Sequence, residues 1–409
     1  MFKQFLKKWS FLFIIIALDY IIALRTSIEF YNFFFLVLLS LSGVSVIWIL
    51  LGYLFVEVDL ERNFSYKIEE DDYLDIEVKI KNRSFLPLFN FVLEDHLACA
   101  QEGDRGRKAF LEYIRPRSSI SVKYGCFCPL RGRYLIGPFK VYIFDPLGIF
   151  FLKKTRRAYS EIFVYPQTFN IRQFPALKKG AAPWFGIEAS RASGDEHEFY
   201  GVREYRPKDP VKKIHWLSTA RKNRLIVKQY QRHVFCRATL IFNLNQESNY
   251  GAGRHSLAEY TVKIAASVAK YLIEQGVSLE IIAHAQEMLH LPFNKGPEHL
   301  QNILRALTVA KAESGVSTLK IFQEFYRYIP PDSSLIVIMP DTDQKYLFSM
   351  LALKERNVSF IPLILLSSTF LYSASQKAIA QEAKFKFTGI PGLHPLFFSC
   401  RTDLAQAFL

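Results

Sequence analysis

The densest concentration of side chains able to move a proton lies in one stretch, Gly194-Asp195-Glu196-His197-Glu198-Phe199-Tyr200-Gly201-Val202-Arg203-Glu204-Tyr205-Arg206-Pro207-Lys208-Asp209-Pro210, taken up again at Ile214-His215-Trp216-Leu217-Ser218-Thr219-Ala220-Arg221. Two imidazoles among carboxylates are the ingredients of general acid–base catalysis, and Asp195, His197, Glu198, Asp209 and His215 would be its groups if they converged in one cleft. No Ser, Cys or metal-ligand constellation accompanies them, so the pattern gives nucleophilic and metal-assisted chemistry no support. The same residues carry two other readings. Arg203, Arg206 and Arg221 can pair with Asp195, Glu204 and Asp209 as an ion-paired clasp, because planar guanidinium groups matched to carboxylates tolerate partial burial. Alternatively, the segment presents a docking surface to an acidic partner or a lipid headgroup. Neither a helical nor a strand period runs through it, and the interleaved Phe199, Tyr200, Tyr205 and Trp216 are expected to be packed against something rather than solvated.

Other chemistry is thinly represented. Gly251-Ala252-Gly253 follows an apolar run but lacks the third glycine and the distal acid of a dinucleotide fingerprint, and no Gly-x-x-x-x-Gly-Lys-Ser/Thr occurs, so the chain supplies no ATPase of its own. His284 and His290 flank an expected hairpin or loop and read as rim residues. The five cysteines, Cys99, Cys126, Cys128, Cys236 and Cys400, are odd in number and scattered, which is no disulfide framework and fits a reducing compartment. Cys126 and Cys128 would share one face of a strand, but a pair falls short of the four ligands of a structural zinc.

The elements that must position these residues are legible along the 409-residue chain. With 50% hydrophobic and 22% charged residues it has the material for two or three folded units, and disorder is excluded as its main state. The stretch from Trp9 to Leu24 carries only Asp19 as a charge, and Phe30 to Val56 carries none, longer than the roughly 20 residues needed to cross hydrocarbon. Residues 1–56 are therefore expected to form a transmembrane helical hairpin. Lys3, Lys7 and Lys8 place its N-terminus in the cytoplasm. Asp19 is expected to snorkel or pair within the hairpin.

Residues 57–165 read as an antiparallel β-sandwich: Leu74, Ile76, Val78 and Ile80 alternate with Asp75, Glu77, Lys79 and Lys81, and turn residues punctuate the runs at Arg131-Gly132 and Asp145-Pro146-Leu147-Gly148. Residues 166–236 form a basic linker holding the segment described above. Ile171 to Arg232 contains 14 Lys and Arg against 6 Asp and Glu, an excess of eight out of the whole chain's +14. Residues 237–409 alternate continuous β-branched runs (Ala238 to Leu244, Val277 to Ala283, Ser334 to Met339, Ser359 to Leu366) with helical stretches such as Leu257, Tyr260, Ile264, Val268 and Tyr271. This is the pattern of a doubly wound α/β domain.

The segment resembles the hallmark of the bacterial domain-of-unknown-function family fifty-eight, whose members are typically encoded beside MoxR-type AAA+ ATPases. That hallmark is a Gly, an aromatic, Arg-x-Tyr-x-x-Gly-Asp, then Ile-x-Trp and Ala-Arg; here it reads Gly194, Phe199, Arg203 to Asp209 with Tyr205 in place, Ile214-His215-Trp216 and Ala220-Arg221. Lys208 stands where the family prefers Gly. Tyr134, Gly137-Pro138 and Asp145 to Phe150 are similar to the end of the family's upstream β region. The resemblance implies that the α/β domain is von Willebrand factor A-like. Such domains often hold Mg²⁺ through Asp-x-Ser-x-Ser after the first strand and an Asp after a later one, because a hard cation needs oxygen ligands with net negative charge. At the matching positions this chain has Asn243, Asn245 and Glu247, with Asp341 as the later acid, a degenerate set expected to be metal-free.

The reading that follows is a non-enzymatic adaptor of the inner (cytoplasmic) membrane. It is anchored by two passes among lipid, with its soluble domains in the cytoplasm, and the resemblance implies a MoxR-type AAA+ ATPase or its clients as partner. The alternative is a hydrolase or transferase acting on envelope precursors through the acidic and His residues. Nucleic acid is not expected as a partner, since the basic segment comes with no nucleic-acid fold.

Overall fold

The computed structural model describes residues 2–26, 29–64, 67–148, 150–174, 198–207, 209, 211–231, 237–330, 333–342, 358–371, 376–388 and 395–408. Gly194, Asp195, His197 and Lys208 lie outside the described residues. The chain divides into two compact units, Met1–Tyr165 and Pro166–Leu409.

The first unit opens with two helices, α1 (Phe2–Arg25) and α2 (Glu29–Phe55). Among the described residues one helix, Glu29–Phe55, is long and apolar enough to cross a membrane. Asp19 on α1 is buried, and its Oδ2 has no hydrogen-bond partner. Ten strands follow: β1 (Val58–Phe64), β2 (Ile68–Glu69), β3 (Asp72–Asn82), β4 (Leu88–His96), β5 (Gly106–Ile114), β6 (Ser119–Cys128), β7 (Gly132–Ile136), β8 (Phe139–Phe144), β9 (Phe151–Arg156) and β10 (Ser160–Tyr165). They form sheets of order β1-β3-β6, β2-β10-β7 and β5-β4-β8-β9 around a shared apolar core. The two-residue period of β3 does what its sequence requires. Leu74, Ile76, Val78 and Ile80 are fully buried, while Asp75, Lys79 and Lys81 face solvent.

Inside this core sits a buried ion pair. Arg62 of β1 donates from Nη2 to Asp95 Oδ1 of β4 at 2.5 Å and from Nε to Oδ2 at 3.2 Å. Tyr124 of β6 donates to Asp95 Oδ2 at 2.6 Å, and Arg62 Nη1 reaches Ser160 Oγ of β10 at 2.9 Å. The guanidinium also lies 4.2 Å from the ring centroid of Phe139 on β8. Burial, then the Asp95 carboxylate, push the Tyr124 hydroxyl far above its usual range, so it remains a donor.

Helix α2 is fastened to the sandwich along its second half. Ser45 Oγ donates to Asp145 Oδ2 at 2.8 Å, and the same carboxylate accepts the backbone N–H groups of Leu147 and Phe150, shaping the Asp-Pro-Leu-Gly turn. Trp48 packs on Phe89 and Phe55 on Phe85. Lys154 Nζ donates to the carbonyls of Gly52, Tyr53 and Val56 at 3.3, 3.2 and 2.9 Å. A cation thus adds a donor to the carbonyls at the helix end, of which Gly52 O also accepts the Val56 N–H, and it sits at the negative end of the helix dipole.

The second unit holds β11 (Glu198–Glu204), α3 (Trp216–Lys222) and β12 (Ile226–Gln231), then β13 (Arg237–Asn243), α4 (Leu257–Glu274), β14 (Ser278–His284), β15 (Met288–Asn294), α5 (Pro297–Val309), α6 (Thr318–Phe325), β16 (Ser334–Pro340), β17 (Ser359–Leu365), a helix Gln376–Thr388 and β18 (Leu396–Phe398). Its six-stranded sheet has the order β15-β14-β13-β16-β17-β18, parallel except for the edge strand β15. Alternate residues of the central strands pack to opposite sides. Leu240 and Phe242 join Val262, Ile264 and Val268 of α4, while Ile241 and Val337 join Ile321, Phe322 and Phe387. With both faces covered by helices, strands of continuous apolar residues are required, and the architecture is doubly wound α/β. The sequence showed no period over the basic linker, yet there the structure places an antiparallel hairpin, β11–β12, and a helix of one and a half to two turns. These elements span only 7, 6 and 7 residues, and β11 is irregular between Phe199 and Gly201, too short and broken for a periodic signal.

Removing one member of a buried pair strands the other charge, so Asp95→Ala should cost about 3–5 kcal/mol of unfolding free energy. Replacing both Arg62 and Asp95 by Met and Leu should cost clearly less than the sum of the single changes. Denaturant unfolding of the full chain in detergent measures both.

Candidate functional site

The hallmark segment is organised around Asp209. Arg203, near the end of β11, approaches it in a bidentate fork, Nη1 to Oδ2 and Nη2 to Oδ1, both 2.6 Å. The Arg206 backbone N–H adds a third bond to Oδ2 at 2.8 Å, and the Asp209 N–H returns to the Arg206 carbonyl at 3.0 Å, closing a tight turn. The Arg203 guanidinium, then the Arg206 N–H, hold the Asp209 carboxyl well below the usual range, at about 2, and Asp209 raises Arg203 in turn.

After the turn the chain comes back to the hairpin. Tyr205 N–H bonds to Leu225 O and His215 N–H to Ile226 O, and Ile214 bridges Val227. His215 caps α3: its Nδ1 accepts the Ser218 N–H at 3.3 Å and lies 2.6 Å from Ser218 Oγ, which puts the ring proton on Nε2. Asn223, in the left-handed region at φ 50°, ends the helix, and Thr219 Oγ1 accepts the Ile226 N–H to seat α3 on β12.

This geometry sorts the sequence expectations. Of the expected ion pairs, Arg203 holds Asp209, Arg224 rather than Arg206 or Arg221 holds Glu204 at 3.0 Å, and Arg206 contributes its backbone, while Asp195 lies outside the described residues. Tyr205 is half-buried, as packing required. Trp216 is not: it is 65% exposed, next to Leu217 at 64%, with Val211 at 66% across the turn. The physical reason is that His215 and Ser218 spend the first turn of α3 on the cap, while Thr219 faces β12, which leaves the Trp216–Leu217 side outward. Arg221 lies exposed in the last turn of α3. Phe199 lies on β11. Of the acid–base set, Asp209 is paired with Arg203, and His215 caps α3 through Nδ1. What the sequence did offer, unread, was the His-x-x-Ser spacing of the cap and the Glu204–Arg224 pair, visible only once the hairpin brings positions 20 apart together.

The second candidate lies at the C-terminal edge of the parallel sheet. Asn243 ends β13 and Asp341 follows β16, its neighbour in the sheet. Asn243 Nδ2 and Asn245 Nδ2 both donate to the Val316 carbonyl, at 2.6 and 3.2 Å. Asn245 Oδ1 is consumed by the Glu247 and Ser248 N–H groups, the Glu247 side chain is exposed, and Asp341 Oδ1 accepts the Ser367 N–H at 3.0 Å. Of the amide oxygens only Asn243 Oδ1 is buried without a partner. The crevice lined by Asn243, Asn245, Ser248, Thr318 and Pro340 has a volume of about 10 Å³, at the lower limit for a single water. One buried carboxylate and two amides whose N–H groups face the Val316 carbonyl fall short of the negatively charged oxygen set that Mg²⁺ prefers. His290 meets Glu280 at 3.0 Å across the β14–β15 hairpin.

Comparison with known proteins bears on the same region. Residues 201–361 match the family described as "Protein of unknown function DUF58". The match takes in the hallmark from Gly201 onward and the sheet from β13 into the first residues of β17. The chain is also similar to the uncharacterized protein YeaD of Bacillus subtilis (strain 168), 25% identical over 264 residues, which is 61% of this chain and 61% of that relative's length. Among solved structures, the CARDB domain of PF1109 from Pyrococcus furiosus aligns with 27% of this chain and 95% of its own at 11% identity and a TM-score of 0.21. The putative ApaA protein of Bordetella pertussis aligns with 27% and 93% at 10% identity and a TM-score of 0.19.

The Asp209 carboxyl is about 2 in the folded protein against about 3.9 for an unfolded Asp. Its contribution to the turn is therefore fully present above the unfolded value and is lost as pH falls through about 2. Arginine-selective labelling should show the Arg206 amide signal unchanged from pH 8 to about 4 and shifting below, whereas Asp209→Asn should remove that acid transition.

Proposed function

We propose that the protein is a non-enzymatic membrane-anchored adaptor. Its von Willebrand factor A-like α/β domain, free of metal at the sheet edge, docks a MoxR-type AAA+ ATPase or that ATPase's clients. Helices α1 and α2 form a two-pass anchor in the inner membrane, with Lys3, Lys7 and Lys8 on the cytoplasmic side and both soluble units there too. The observation that carries this reading is the outward face of the hallmark: Trp216, Leu217 and Val211 are all more than 60% exposed beside Lys212, Arg221 and Lys222. A tryptophan left in water next to cations is the composition of a protein-contact centre, with charges that favour an acidic partner. The Arg203–Asp209 fork and the His215 cap hold that face rigid, so little ordering entropy opposes docking. The resemblance of the hallmark supplies the identity of the partner.

Full-length protein in detergent should copurify with a MoxR-type ATPase in the presence of a non-hydrolysable nucleotide. Trp216→Ala should weaken the complex by roughly tenfold or more, as hot-spot truncation does, and Arg221→Glu should mainly slow association and flatten its salt dependence. Absence of a complex across several salt concentrations would overturn the adaptor reading.

A further inference from the structure

Cys126 and Cys128 occupy alternate positions of β6, so both thiols point to the core face of the sandwich. Cys99, in the turn that follows β4 of a different sheet, reaches the same point. The three residues are 2%, 3% and 0% exposed in chain order, and all are free thiols. Their sulfurs lie within 4.8 Å of one another, and Cys99 Sγ is 3.9 Å from Cys126 Sγ. A single buried cysteine is an ordinary small apolar residue. Three that converge from two sheets form a ligand set.

The dimensions select a class of ion. With metal–sulfur bonds of about 2.3 Å, three sulfurs around an ion in their plane stand about 4 Å apart, and the Cys99–Cys126 edge already has that length. Zn²⁺ calls for a fourth ligand, and among the described residues no His, Asp or Glu joins the trio. A soft ion content with few thiolates does not need one. The geometry points to a three-thiolate site for one Cu(I) ion in the sandwich, formed by Cys99, Cys126 and Cys128. The site is independent of the adaptor reading.

In the metal-free protein the thiols share hydrogen bonds that lower each group through one neighbour and raise it through the other. Burial adds to the rise, and all three are pushed up to about 12. Such thiols are protonated and poor nucleophiles at neutral pH. Loading therefore breaks three S–H bonds, forms three S–Cu bonds and releases three protons to solvent; the metal enters as Cu(I), and no electron moves. Cys128 is the last residue of β6, and Cys99 lies in a turn, so the trio sits near one end of the strands rather than at their middle.

The experiment titrates the full chain in detergent, reduced, metal-free and anaerobic, with Cu(I) in competition with a chromogenic Cu(I) chelator. The expected result is one retained Cu(I) per chain, kept by the Cys236→Ser/Cys400→Ser double variant and weakened at least tenfold by Cys128→Ala. Failure to hold Cu(I) against the chelator, retention unchanged in Cys128→Ala, or loss in the double variant would overturn the site. Because truncating a buried thiol can disturb folding, X-ray absorption on the unaltered loaded protein decides independently. Three sulfur neighbours support the site, and any nitrogen or oxygen neighbour counts against it.

Discussion

One buried contact, the Arg62–Asp95 pair, holds the N-terminal unit to a single arrangement. Taking two charges out of water is costly, and it is tolerated only when every polar atom of the pair finds a partner at the right angle. Here those partners come from β6, β7 and β10, and the guanidinium plane rests on a β8 ring, so the pair draws on all three sheets. Apolar packing alone would permit small slips between sheets; a five-donor fork does not. The position of the turn that receives α2, and of the strand ends that bring three sulfurs together, follows from that register.

The hallmark of the second unit uses the same device at the surface for another end. The Arg203–Asp209 fork is partly solvated, so its worth lies in geometry more than in energy. It closes the turn between β11 and α3, and with the His215 cap it presents Trp216 and Leu217 as a fixed face. The C-terminal edge of the parallel sheet is polar in another way. There the amides of Asn243 and Asn245 turn their N–H groups onto the Val316 carbonyl and tie the two loops together.

Much of the fold was legible from the chain because burial imposes a period. The alternation in β3 and the unbroken apolar runs of β13, β16 and β17 are direct consequences of one-sided and two-sided burial, and they predicted their elements. The α2 helix was legible from its uncharged length. Less could be read where the decisive partner is distant in sequence: Cys99 joins Cys126 and Cys128 from 27 residues away, and Arg62 meets Asp95 from 33. Aromatic composition misled at Trp216, because burial was inferred from residue type while the actual orientation is set by which side chains of a short helix are occupied with capping. The hairpin was invisible for a related reason, since seven residues with an irregularity carry too few repeats to define a period.

The seam between α2 and the sandwich bears on depth. From Ser45 to Phe55 one side of the helix lies against strands and turns, while Val46, Ile47, Leu50, Tyr53 and Leu54 on its other side stay exposed. That apolar side continues past the neighbouring edge of the sandwich, where Phe85 and Leu147 also protrude, so a bilayer crossed by this helix would meet the sandwich edge as well as the helix. With Ser45, Trp48 and Lys154 tying the helix to the strands, the sandwich would be held against the lipid surface instead of swinging on a tether.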